Sequence, residues 1–416
     1  MKARIFGMLF LLTLPVWPQQ QLTLQECYAL VTKNYPLAKQ SHLLEQQNAL
    51  DLEAVSTEKL PQLVLSAQAT YQSDVIEVPI PNSGIEPINQ DQYKATLSIN
   101  QLIYNGGKIN ASSNLKSAQL KTRMQQVEVN LYQLKKQVNQ LYFSILLTQE
   151  KYKLLTAKQT ELQAKLKEVQ SGIANGVLVP SSDKVLEAEL LKIKQQCSEV
   201  NYNKTTLIAN LSALIAQPIQ ETTTFQKPII ETQMRSELKR PELELFQLKK
   251  EEIERSESLM AKQRSPKLLG FATGGYGNPG LNMLDNSFQP FYTVGLKLDW
   301  NVLDWSANKK QRGSLAINKD IVDTDTEVFK LNTNMELQQQ EADIHIIEDF
   351  IATDTEIIQL QKTVLKSADS QFKNGIITAS AYLTELTNLY EDENRLATHT
   401  IQLQLAKANY NIIQGQ

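Results

Sequence analysis

From Leu120 to Ile173 apolar residues return in strides of four and three: Met124, Val127, Leu131, Leu134, Val138, Leu141, Ile145, Tyr152, Leu155, Leu162, Leu166 and Val169 follow one another, with Thr148 and Gln159 as the interruptions. That stride is a coiled-coil seam. It predicts one helix from Lys108 to about Gly172, a rod of roughly 100 Å at about 1.5 Å per residue. Asn175-Gly176 turns the chain, and the seam resumes through Leu186, Leu190, Ile193, Cys197, Val200, Lys204, Leu207, Leu211 and Leu214. An antiparallel helical hairpin is expected.

Upstream the period falls to two. Leu63, Leu65, Ala67, Ala69 and Tyr71 alternate with Gln62, Val64, Ser66, Gln68 and Thr70, and after a Pro/Asn/Gly-rich stretch from about Asp74 to Asp91 the alternation returns in Tyr93, Ala95, Leu97, Ile99 and Gln101. Two strands of a hairpin, 63–103, are predicted. Before them, Thr23 with Glu26 three residues on forms a capping box for a short helix that Asn34-Tyr35-Pro36 breaks. Pro36 is expected to open a helix running to Leu60-Pro61, because the residue before proline disfavours helical geometry.

The plan then repeats. Pro36 and Pro61 recur as Pro241 and Pro266, a shift of 205 residues, whereas Tyr93, Asn175-Gly176 and Ala209-Asn210 recur as Tyr292, Asn374-Gly375 and Ala408-Asn409, a shift of 199. The six-residue difference falls in the loop after the first strand. Expected boundaries are a leader over 1–20, a first repeat over 21–220, a linker over 221–239, and a second repeat over 240–416 with its hairpin at 267–303 and long helices at 306–414. The helical segments 36–60 and 180–215 together match the length of the long helix, which suggests four rods with two β-hairpins at one end.

Composition narrows the function. A net charge of −3 argues against a nucleic-acid partner. Met1-Lys2-Ala3-Arg4 followed by the apolar run Ile5–Leu14 reads as a secretory signal, and no later run approaches the roughly 20 apolar residues of a membrane helix. Membrane contact therefore falls to strands or to a partner. Cys27 and Cys197 read as small buried hydrophobes rather than a disulfide. His42, His345 and His399 stand apart from one another and from the cysteines, so no catalytic, cofactor or metal constellation is assembled; Asp343 and Asp349 near His345 read as a solvated helix face. Gly274-Gly275-Tyr276-Gly277 lacks the Lys-Ser/Thr of a phosphate loop and reads as part of a hairpin loop.

Four strands in two hairpins have open edges that something must complete. The order of segments, and in particular Leu22-Thr-Leu-Gln-Glu26 leading to Asn34-Tyr-Pro36, Leu60-Pro-Gln-Leu63, Leu102-Ile-Tyr-Asn-Gly-Gly107, Asn175-Gly-Val-Leu-Val-Pro-Ser-Ser-Asp183 and Asn374-Gly-Ile-Ile-Thr-Ala-Ser380, resembles the TolC-like outer-membrane efflux family over nearly the whole chain. The resemblance implies a mainly α fold with a small β part: a homotrimer whose chains give four strands each to a 12-strand barrel in outer-membrane lipid, and whose rods form a periplasmic tunnel. It implies a passive duct for efflux or type I secretion, energised by an inner-membrane transporter through a periplasmic adaptor, without cofactor.

The resemblance also implies a tip and adaptor-docking site at Asn175, Gly176, Val177, Asn374, Gly375 and Ile376. The best-known members of the family carry two aspartates just after the second turn, where this chain has Ala381 and Thr384. Asp183, Glu187 and Glu385 are the remaining candidates for a charged tip. Two other readings fit parts of the chain. A periplasmic structural coiled coil or adaptor has no use for two barrel-grade hairpins, and an adhesin would have to bind through loops that are short and poor in aromatics.

Overall fold

The computed structural model describes residues 21–77 and 86–416. The expected leader and the middle of the first hairpin loop lie outside them. In chain order the elements are β1 (Gln21–Leu22), α1 (Leu24–Asn34), a 3-10 turn (Pro36–Ala38), α2 (Lys39–Thr57), β2 (Gln62–Tyr71), β3 (Asp91–Tyr104), α3 (Lys108–Ala174) and α4 (Ser182–Leu214). There follow β4 (Thr224–Phe225), α5 (Pro241–Lys262), β5 (Lys267–Asn278), β6 (Gln289–Asp299), α6 (Ala307–Lys373) and α7 (Ala379–Gln414).

Local chemistry explains most boundaries. Thr23 caps α1: its Oγ1 accepts from the Glu26 amide at 3.2 Å while the Glu26 carboxylate accepts from the Thr23 amide at 2.8 Å. Tyr35, ahead of Pro36, takes ψ 139° and ends that helix. Pro36 opens a 3-10 turn rather than the α-helix expected there, and α2 ends at Thr57, three residues early. Strand β6 stops at Asp299, not at 303, and β5 runs on to Asn278, so the glycine cluster 274–277 lies in a strand and not in a loop. Packing is the reason: a Cβ on Gly275 would stand 2.3 Å from the Phe291 ring and 2.9 Å from the Ala95 carbonyl, leaving room only for glycine.

The compact units are not the sequence repeats. One comprises residues up to Ala38, Asn130–Arg240 and Asn332–Gln416; the other comprises Lys39–Val129 and Pro241–Leu331. Each draws on both repeats. The second unit holds an antiparallel sheet in the order β2-β3-β5-β6, with β3 pairing to β5 so that the two hairpins form one surface.

In the first unit the linker 221–239 is tied down. Thr224–Phe225 pairs in parallel with Gln21–Leu22. Tyr142 of α3 locks this pairing: its hydroxyl lies 2.9 Å from the Leu22 carbonyl and 2.7 Å from the Gln226 carbonyl, and its ring meets Phe143 and Phe225 edge to face. Beyond it, the Arg235 amide donates to the Tyr410 hydroxyl and Asn411 Nδ2 to the Glu231 carbonyl, which ties the segment to α7.

The seam of α3 holds with one shift. Leu131, Val138 and Ile145 are buried, then Leu155, Leu162 and Val169, whereas Tyr152 is 45% exposed. Thr148 marks the change of partner. Below it, α3 packs on the β1/β4 pair, and beyond it on a core of Leu186, Ile193 and Val200 from α4, Phe372 from α6, and Tyr382, Leu383 and Leu386 from α7.

Candidate functional site: a two-faced sheet and a double turn

The register of the sheet sorts its side chains. Leu63 pairs with Ile99, Leu65 with Leu97 and Ala67 with Ala95. Across β3 and β5, Ala95 stands opposite Tyr276, Leu97 opposite Gly274 and Ile99 opposite Ala272; β6 continues this face with Tyr292, Val294, Leu296 and Leu298. Since side chains alternate strictly along a strand, these residues share one face. Gln101, and at the loop end Asp91 and Asn278, are the polar side chains on it.

The opposite face is mostly polar, with Gln62, Ser66, Gln68, Lys94, Thr96, Ser98, Asn100, Lys267, Thr273, Thr293 and Lys297, and it also holds Val64, Leu102, Leu269, Phe271 and Phe291. Ser98 and Thr273 hydroxyls meet at 3.0 Å across the β3–β5 pair, and the Lys94 ammonium sits over the Phe291 ring. Much of the apolar face is exposed, with Leu65, Tyr292, Val294 and Leu296 each at 70% or more, while Phe288 stacks on Tyr93 and Tyr276 at its loop end. Tyr71, Tyr93, Tyr276 and Tyr292 lie toward the loop ends of the strands, with Tyr104 and Trp300 at the other ends. An apolar band between aromatic girdles is the pattern of a strand surface in lipid. Strands of 10, 14, 12 and 11 residues reach the roughly 9–11 that a tilted spanning strand needs. Among the described residues no helix is long and apolar enough to cross a membrane.

In the other unit, two turns are built alike. After α3, the Gly176 amide donates to the Ile173 carbonyl and the Val177 amide to the Gly172 carbonyl; after α6, Gly375 donates to Phe372 and Ile376 to Gln371. These are Schellman closures. Asn175 and Asn374 each donate from Nδ2 to the carbonyl of the serine four residues back, Ser171 and Ser370. Gly176 and Gly375 have φ of +73° and +71°, a backbone that a Cβ disfavours by about 1–2 kcal/mol per residue. Gly375→Ala should therefore destabilise the second turn by about 1 kcal/mol, read as faster cleavage at 374–377 in limited proteolysis; unchanged cleavage would count against the turn as drawn.

At both turns one apolar residue packs inward, Leu178 and Ile377, and its neighbour points out. Val177 is 58% and Ile376 71% exposed. The candidate acids are locally engaged. Lys184 Nζ lies 3.2 Å from Asp183 and 2.9 Å from Glu187, and Glu385 accepts from Gln361 at 2.9 Å and from Asn388.

Sequence reasoning missed a charged layer just behind these turns. Lys165, 8% exposed at its side chain, binds Asp369 at 2.5 Å and Glu168 at 2.7 Å and lies over the Tyr382 ring; Lys373 also reaches Asp369, at 2.9 Å. Burial alone would raise the Asp369 pKa, but the hydrogen bonds and charges of Lys165 and Lys373 outweigh it and hold the carboxyl below its ordinary 3.8. A depressed carboxyl stabilises above that value and loses its contribution as pH falls below it, so acid loosens this α3–α6 tie. Asp369→Ala is expected to cost about 3 kcal/mol, the low end for breaking a buried pair, because Glu168 remains. Lys165→Met should cost less, since Asp369 keeps Lys373. Thermal unfolding of the purified protein in detergent orders the two, and the reverse order would overturn the assignment. His399, taken in isolation from sequence, in fact pairs with buried Asp354 at 2.6 Å and stacks near Phe350, joining α6 to α7. His345 meets Glu348, 3.5 Å away.

Residues 31–217 match the family model described as outer membrane efflux protein. That match covers most of the first repeat. The second repeat follows in the fold. The chain is similar to the outer membrane protein VceC of Vibrio cholerae at 14% identity and a TM-score of 0.65, covering 94% of this chain and 96% of that one. It is similar to the CmeC outer membrane channel of Campylobacter jejuni at 16% identity and 0.63, covering 94% and 84%, and to the open-state MtrE outer membrane channel of Neisseria gonorrhoeae at 14% and 0.66, covering 94% and 89%. At such identities the structures speak for the fold. No curated protein sequence matches the chain. The fold is that of these outer-membrane channels, and the sheet presents an apolar face of the kind that packs in lipid.

Proposed function

We propose that three copies of this chain close a 12-strand barrel and form the exit duct of a tripartite efflux or type I secretion system, energised by an inner-membrane transporter through a periplasmic adaptor. One observation carries the reading: the sheet is two-faced and ends in unpaired strands, β2 on one side and β6 on the other. An exposed apolar face with two open edges is untenable in water and in lipid alike, and closure between copies removes both edges. Neither a periplasmic tether nor an adhesin uses such a sheet. Heat-resistant trimers in outer-membrane fractions are the expected result, and a soluble periplasmic monomer would sink the proposal.

The outward Val177 and Ile376, beside Asn175-Gly176 and Asn374-Gly375, form the adaptor-docking tip in this reading. A photo-crosslinker at Val177 or Ile376 should capture a periplasmic adaptor in intact cells, while one at Tyr202, exposed farther along α4, should not. With Ala381 and Thr384 at the offsets where aspartates would stand, and with Asp183, Glu187 and Glu385 held by neighbours, block by divalent or cobalt-amine cations should be weak. Glu385→Ala should leave single-channel conductance in their presence nearly unchanged; strong block abolished by that substitution would restore an acidic ring.

A further inference from the structure

The two repeats differ at the place where strands meet helices. Helix α6 opens conventionally: Asp304 accepts from the Ser306 and Asn308 amides and faces Arg264 at 3.8 Å. Neither helix has an acid in its first turn, but in α3, which begins at Lys108, the place of Asp304 is taken by the neutral Asn105, whose Oδ1 accepts from the Gly107 amide. A cation at a helix amino end is unfavourable by electrostatics. Around it lies a cavity of about 410 Å³ lined by Lys108, Lys262 and Lys267 together with Glu58, Gln62 and Asn105. Lys262 reaches across to the start of α3, its Cε 4.0 Å from where a Cβ on Gly107 would be.

Among the described residues none of these three lysines is ion-paired, although Lys267 stands opposite Asp299 in the register, because Lys297 takes that carboxylate at 3.2 Å. Glu58 is likewise unpaired. In the other repeat the same positions are Ala307, Thr57 and Gln62. The three positive charges therefore collect at one junction and are absent from its twin. Helix capping explains Lys262, in the last turn of α5, but not Lys108 or Lys267. Gln62, Asn100 and Lys267 all belong to the polar face of the sheet, so the cavity opens on that face.

We propose that this cavity is an oxyanion site on the inner wall of the duct, where three lysines and neighbouring amides hold a phosphate- or carboxylate-bearing group. Its place in a lumen rests on the barrel reading above; the binding itself does not. Convergent, unpaired lysines of one sign concentrate anions from solution. In a trimer the site occurs three times around one pore, so it also sets a preference for anions.

Two measurements decide it. In the purified full-length protein, inorganic phosphate at matched ionic strength should slow acylation of Lys108, Lys262 and Lys267 about threefold or more relative to chloride, read by mass spectrometry, with exposed Lys309 and Lys310 as unprotected controls. Equal acylation in phosphate and chloride overturns the site, whether or not the protein conducts. In planar bilayers, K108Q/K262Q/K267Q should lower the anion-to-cation permeability ratio about twofold with conductance retained, and an unchanged ratio in a conducting channel overturns the selectivity role. A protein that folds but forms no channel overturns the duct reading instead, and the acylation result still stands or falls by itself.

Discussion

Val294→Arg is expected to abolish assembly in the outer membrane, whereas Thr293→Arg, one residue away, is expected to be tolerated. Val294 lies midway along the apolar face, opposite Ala272 in β5, and is 72% exposed within its own chain. Thr293 is turned to the polar face, opposite Thr273. A lipid-facing arginine at mid-depth costs about 2–4 kcal/mol. In the proposed trimer each of three copies carries it, so the penalty to one barrel is three times that. A lumen-facing arginine remains in water. Fractionation followed by a heat-modifiability assay separates the outcomes: Val294→Arg should leave unassembled, protease-sensitive chain while Thr293→Arg gives normal trimers. Equal assembly of both variants would mean that the sheet does not face lipid.

Tyr142→Ala should destabilise the helical unit by about 3–5 kcal/mol, the cost of emptying an aromatic site in a core. Tyr142 is fully buried, its hydroxyl meets the Leu22 carbonyl of β1 and the Gln226 carbonyl just past β4, and its ring meets Phe225 of β4. Tyr142→Phe keeps the volume and the edge-on contacts with Phe143 and Phe225 and removes only the shared donor, so about 1 kcal/mol is expected. Urea unfolding of the detergent-solubilised protein gives the two midpoints, and limited proteolysis should show the 221–239 segment released in Tyr142→Ala. Similar midpoints for the two variants would show that the hydroxyl, and not the ring, carries the site.

The acid tie behind the turns and the oxyanion cavity differ in how far they could be anticipated. Each depends on charges that helix periodicity treats as surface. Lys158 and Lys165 fall beside the seam of α3, where a lysine normally reaches water; here Tyr390 and Tyr382 of α7 cover them, and Glu189 and Asp369 neutralise them. Lys108 gave a faint signal, since a cation opening a very long helix runs against the dipole. Its companions Lys262 and Lys267 lie more than 150 residues away in sequence, and nothing local links them. The asymmetry between repeats was visible in the turns, with Asp183 matched by Tyr382, but not its consequence: Tyr382 is a buried ring stacked on Phe372, while Asp183 is a partner of Lys184.

The sequence by itself determined the elements that depend on neighbours a few residues away. The four-three stride made α3 and its return helix, the period of two made the strands, Thr23 with Glu26 capped α1, and Asn-Gly twice closed a long helix with glycine in a left-handed backbone. It also determined which strand residues share a face, because the side-chain period of a strand is fixed by geometry. Only the tertiary structure decided what those faces and ends meet: that 221–239 is pinned through Tyr142 and Tyr410, that His399 finds Asp354, that β3 joins β5 and leaves β2 and β6 open, and that three lysines gather in one cavity. These partners are tens to hundreds of residues apart. A contact at that separation comes from the packing of whole elements, which no local period or cap encodes.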